Sequence, residues 1–235
     1  MQIKLFNKKI LLIVFILLLS GCGNKDIIIQ KEISEKQIIE QSFGASGTYT
    51  AHITEAENDG QDDGTNYTSG VIFGKEGGTS SYSGLRYMNV TIPQGATITS
   101  AELSVKAGTN FTNSILTNIY CEDVDDSTVF SSSSKPSGRT RTTDFTAWDF
   151  STSWTALSWY DTTDFKNAVQ EVINRVGWES GNSLAVIITD DGTTDSTNRY
   201  IYNYSSGLAA SAEITIGYDY IAESVPLTPI IIMFE

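Results

Sequence analysis

Histidine and cysteine supply limits the chemistry open to this chain: it has one histidine, His52, and two cysteines, Cys22 and Cys121. Too few of either are present to build a Cys/His zinc cluster. A Ser-His-Asp triad would hang on His52 alone, and no G-x-S-x-G elbow surrounds any serine. The stretch from Gly74 to Ser80, GKEGGTS, lacks the spacing and the terminal lysine of a phosphate loop. Paired acids recur at Asp62 and Asp63, Asp125 and Asp126, and Asp190 and Asp191. They make a glycosidase couple only if two carboxyls face each other across a cleft, and surface turns are the commoner use of such pairs. The expectation is a protein without catalytic activity.

Two kinds of binding chemistry remain. In ENDGQDDGTN, Asp59, Gln61, Asp63 and Gly64 fall at positions 1, 3, 5 and 6 of an EF-hand-like spacing, but position 12 is Gly70 where a bidentate Glu is required. That excludes a true EF-hand and leaves a structural calcium site built from loop oxygens. Asp190 and Asp191, in TDDGTTDS, read first as an Asp-Gly turn and second as another calcium site. Aromatic residues are the other resource: Trp148, Trp154, Trp159, Tyr160 and Trp178, then Tyr200, Tyr202, Tyr204, Tyr218 and Tyr220. Sugars stack their C–H faces on flat exposed rings while nearby polar groups take the hydroxyls. Trp159 and Tyr160 are the ligand-facing candidates. Tyr200, Tyr202 and Tyr204 share a face by period two and form a platform only if that face is exposed. Cys121, in an apolar run, reads as a small core residue rather than a reactive thiol.

The elements that must position these residues are mostly strands. Short β-type runs separated by Gly, Asn, Asp and Ser fill residues 48–220, at 49–54, 85–92, 98–107, 115–121, 184–189, 199–204 and 212–220. The clearest sets Ala101, Leu103, Val105 and Ala107 inward and Glu102, Ser104 and Lys106 outward, which means a sheet with one wet face. One amphipathic helix is expected where Phe165, Ala168, Val169, Val172, Ile173 and Val176 form a stripe, capped by Asp161 or Thr162 and ended by Gly177. The predicted architecture is all-β, a β-sandwich with one covering helix. The formal charge of −13 argues against nucleic acid as a partner.

Two resemblances refine this. Lys4, Lys8 and Lys9, an apolar run and then Leu19-Ser20-Gly21-Cys22 resemble the signal and lipobox of prokaryotic lipoproteins. That resemblance implies removal of residues 1–21, fatty acylation of Cys22, and an exported chain held to the cell membrane by lipid. Removal takes away three lysines and no acid, leaving a mature charge of −16. Residues 22–47 then read as a tether. GLRYMNVTIPQGATITSAELSV from Gly84, GRTRTTDFTAWDF from Gly138, QEVINRVGWESGNSLAVIIT from Gln170 and EITIGY from Glu213 resemble the DNRLRE-type, jelly-roll carbohydrate-binding-like modules. Similar modules occur in phage structural and fibre-type proteins. The resemblance covers most of residues 48–220 and implies a jelly roll that binds an extracellular glycan or, alternatively, a surface protein in an adhesive assembly. Residues 221–235 end in Ile230-Ile231-Ile232-Met233-Phe234, far short of the roughly 20 apolar residues that span a bilayer. This arm is expected to pair with a sheet edge, in its own chain or in a neighbour as a route to self-assembly.

Overall fold

The computed structural model describes residues 44–194 and 196–221. The signal-like segment, Cys22, most of the tether and the arm beyond Ile221 lie outside the described residues. Among the described residues there are thirteen strands: β1 (Gly44–His52), β2 (Asp59–Asp62), β3 (Tyr67–Thr68), β4 (Ile72–Glu76), β5 (Thr79–Ser80), β6 (Tyr82–Tyr87), β7 (Thr97–Lys106), β8 (Thr117–Cys121), β9 (Thr146–Ala147), β10 (Trp159–Asp161), β11 (Leu184–Asp190), β12 (Asn198–Tyr200) and β13 (Glu213–Ile221). One α-helix, α1 (Lys166–Ile173), joins them. Every pairing between these strands is antiparallel.

A four-stranded sheet runs β1-β13-β7-β10, a six-stranded sheet β3-β2-β6-β11-β8-β9, and a small third sheet β12-β4-β5. Take β1, β6, β7, β8, β9, β10, β11 and β13 in chain order. One sheet then reads first, eighth, third, sixth and the other second, seventh, fourth, fifth, which is the order of a jelly roll. The hairpin β2–β3 widens the second sheet at its β6 edge.

Alternation along the strands decides which side chains meet. Ile98, Ala101, Leu103 and Val105 of β7, Ile214 and Ile216 of β13, and Leu85, Ile119, Cys121, Val186 and Ile188 of the other sheet are buried in one shared core. Trp148, Trp154 and Trp178 join them, at 4%, 3% and 2% exposure. Behind the six-stranded sheet a second small cluster holds Phe130, Ala185 and Ile187, with Tyr67 and Tyr120 against it.

The helix buries Ala168, Val169, Val172 and Ile173 below Phe165, as its stripe requires. Its start and end differ from the sequence expectation. The N-cap position is Phe165, and the Asp164 carboxylate before it accepts the Lys166 N–H at 2.9 Å and the Ala101 N–H at 3.0 Å, which ties the start of the helix to β7. Thr162 instead accepts from the Leu103 N–H, and Asp161 belongs to β10. The helix stops at Ile173, and Val176 is 98% exposed rather than part of the stripe.

Further differences concern strands. β2 lies where the sequence suggests an acidic calcium-binding loop, and β10 and the β4–β5 pair fall outside the runs that read as strands. Asp-Gly-Gln-Asp and Trp-Tyr-Asp carry too little β-propensity, or too few residues, to declare a strand without their partners. The GKEGGTS stretch is a hairpin: Glu76 pairs with Thr79, and Gly77 and Gly78 both adopt positive φ, as a two-residue turn of this hand requires. β1 begins at Gly44, four residues before the boundary read from composition, because Gly44 to Gly47 pair with Ile221 to Tyr218.

Candidate functional site

The outer face of the four-stranded sheet collects polar side chains because its inner positions are spent on the core. Pairing aligns His52 of β1 with Glu213 of β13, Glu213 with Ser104 of β7, and Ser104 with Asp161 of β10. One row of outward residues therefore crosses all four strands. The next row sets Trp159 of β10 directly opposite Lys106 of β7.

Trp159 is 40% exposed, while the other three tryptophans are buried. The Lys106 ammonium lies 5.8 Å from the Trp159 ring centroid and 5.7 Å from that of Tyr202, within cation–π range of both. Tyr202 is held in place by its own N–H, which donates to the Lys106 carbonyl at 2.9 Å. The His52 ring sits 6.4 Å from the Trp159 ring, tilted by 58°. Its Nε2 is 3.0 Å from Glu213 Oε2 and its Nδ1 is 3.0 Å from the Ser211 carbonyl oxygen. Both partners offer acceptor oxygens, which fix the orientation of the ring. The arrangement is an exposed indole ringed by an ammonium, an imidazole, a phenol and two carboxylates, on an open sheet face. It can stack on an apolar ring face and hydrogen-bond to the groups around its rim.

Of the aromatic residues singled out by sequence, Trp159 and Tyr202 meet around Lys106, and Tyr160 does not join them. It lies on the other face of β10, opposite Val105, with its ring stacked on Trp154 at 4.6 Å and 7°. Its hydroxyl oxygen accepts the Thr155 N–H at 2.7 Å. Adjacent residues in a strand point to opposite faces, so one of Trp159 and Tyr160 had to turn inward. Beneath, Trp148, Phe150 and Trp154 form a packed aromatic group, and the buried Arg199 guanidinium lies 4.6 Å from Phe150 and 4.9 Å from Trp154. Arg199 Nη2 donates to the Asn113 and Thr152 carbonyls. Burial lowers its pKa from the usual arginine value. This clamp holds the strand end from which Tyr200 and Tyr202 continue.

The acidic candidates separate. Asp59 and Gln61 are buried within β2, at 1% and 7% exposure. Asp63 is exposed in a turn, where its carboxylate accepts the Thr65 and Asn66 backbone N–H groups and an Asn66 side-chain N–H. Those bonds hold the Asp63 carboxyl down at about 2. Asp190 accepts the Ser80 hydroxyl and the Thr193 N–H, and Asp191 is exposed at the start of a turn. Among the described residues no group of three or more His, Cys, Asp or Glu is placed to hold a metal ion. Cys121 is fully buried, and burial pushes its thiol pKa far up, as a core residue requires.

Sequence reasoning missed His52, Lys106, Asp161 and Glu213 as members of the site. Lys106 was legible as an outward position of β7, but only strand pairing brings Trp159 opposite it. A concavity of 290 Å³, lined by residues 93–97, 219–221 and Gly44, lies at the opposite end of the same sheet. The sequence matches no protein-family model and no curated protein.

Proposed function

We propose that this protein is a noncatalytic, exported lipoprotein, anchored through lipid on Cys22, whose jelly roll binds an extracellular glycan on the outer face of its four-stranded sheet. The observation that carries the reading is Trp159. A folded domain that buries its other three tryptophans leaves this one 40% exposed, among polar side chains, on a flat face. Exposed indole is costly in water, and stacking against a sugar ring recovers that cost. Lys106, His52, Asp161 and Glu213 supply donors and acceptors for hydroxyl groups around it. An array of polysaccharides probed with the chain tests the reading. Trp159→Ala should cut binding at least tenfold with a change in melting temperature of no more than a few degrees, and Tyr202→Ala should weaken it less. Retention of full binding by Trp159→Ala defeats the site, and an array without signal defeats the glycan reading.

A second reading, an adhesive module that binds protein, draws on the other sheet. Phe145 is 51% exposed, its ring lies 5.1 Å from Tyr120, and the Arg141 guanidinium sits 5.2 Å from the Tyr120 ring. Tyr and Arg are the residue types that dominate protein-interface energetics. Loss of a protein partner or of self-association on Phe145→Ala, with glycan binding absent, supports this alternative.

A further inference from the structure

Inside the sandwich, three oxygen atoms have no hydrogen-bond partner among the described residues: Asp59 Oδ1, Gln61 Oε1 and Tyr87 Oη. Their side chains share the inner face of the β2–β6 pair, since Asp59 is paired with Leu85, Gln61 with Ser83, and Tyr87 follows Leu85 by two residues. Leu85 and Tyr87 belong to the main core. Asp59, Gln61 and Tyr87 are 1%, 7% and 1% exposed. The other Asp59 oxygen accepts one bond, from the Tyr204 N–H at 2.6 Å. No Lys, Arg or His among the described residues forms an ion pair with Asp59. The carboxylate and amide oxygens can only accept, so neither can satisfy the other. A carboxylate taken out of water must be paired, hydrogen-bonded or neutralised.

We propose that Asp59 Oδ1 and Gln61 Oε1 are ligands of a buried alkali-metal cation, with the Tyr87 hydroxyl oxygen on the same face as a third donor. Oxygen-only donors select hard cations. One carboxylate balances one positive charge, whereas a divalent ion here would leave a net charge in the core. A bound cation offsets the cost of taking the Asp59 carboxylate out of water. The site differs from the acidic-loop reading of the sequence, because Asp63 is exposed with its carboxylate occupied in the turn. Through the Tyr204 N–H, Asp59 also fastens the segment that carries Tyr202.

The test is the melting temperature of the full chain at matched ionic strength in sodium, potassium, calcium or choline chloride at neutral pH. Sodium or potassium should raise it over choline by roughly 4 °C, the scale expected for a ligand bound only to the native state of a chain this size. Asp59→Asn should abolish the difference between salts. Gln61→Leu keeps the carboxylate and should shrink the difference, which preserves the comparison if Asp59→Asn fails to fold. Equal melting temperatures in all four salts, or a rise produced by calcium alone, overturns the proposal. Neither outcome bears on glycan binding, which is read separately through Trp159.

Discussion

At the scale of single residues, burial rather than residue type decides what each side chain does. Trp154 and Trp159 lie five positions apart, yet one is 3% exposed under an aromatic stack and the other 40% exposed. Trp154→Ala should therefore destabilise the fold by about 3–5 kcal/mol, measured by denaturant unfolding, where Trp159→Ala should not. A loss of similar size in both would show Trp159 to be structural. Asp59 makes a pH prediction. Its carboxyl titrates at about 6 in the folded chain against an ordinary 3.8. Below the lower value it is protonated in both states; between the two the folded state holds more protons, so stability falls as pH rises through this window. In choline buffer, without an alkali-metal cation to offset it, the loss between pH ~4 and pH ~6.5 should be on the order of 2–3 kcal/mol. Asp59→Asn should remove that component. An unchanged slope in the variant would assign the pH dependence to other groups. Cys121, with its thiol pKa raised by burial, should resist alkylation in the native chain and react only on unfolding, which a thiol-reactive dye reports.

Elements show where periodicity is reliable and where it stops. The stripe was legible because six positions from Phe165 to Val176 obey helical spacing, and the five from Phe165 to Ile173 are buried. Val176 obeys the same spacing and is 98% exposed, because the backbone leaves the helix after Ile173. Val172→Ala should cost about 1–2 kcal/mol and Val176→Ala less than about 0.5. Equal costs in thermal unfolding would mean that the helix continues in solution. The polar link from helix to sheet was not legible: Gln170 accepts the Ile98 N–H and donates to the Ala96 carbonyl, bonds that span more than 70 residues. Local sequence gives no sign of such partners.

On the scale of the whole molecule, lipid on Cys22 is the proposed anchor of an acidic chain. Cys22→Ala should abolish fatty-acid labelling and move the chain from the detergent phase to the aqueous phase, and retention in the detergent phase would refute lipid anchoring. The sequence by itself determined the fold class, since alternation of the β7 type and turn-rich spacing can be read residue by residue. It also determined the core standing of Cys121, which is set in an apolar run. The tertiary structure alone decided that Asp59 to Asp62 is a strand, that Trp159 rather than Tyr160 faces outward, and that Lys106, His52 and Glu213 gather beside it. Period-two patterning fixes which residues share a face but not which face is wet, and strand pairing between residues 50 to 160 positions apart leaves no local trace. The composition of the site is therefore a property of register, which exists only once the sheets have formed.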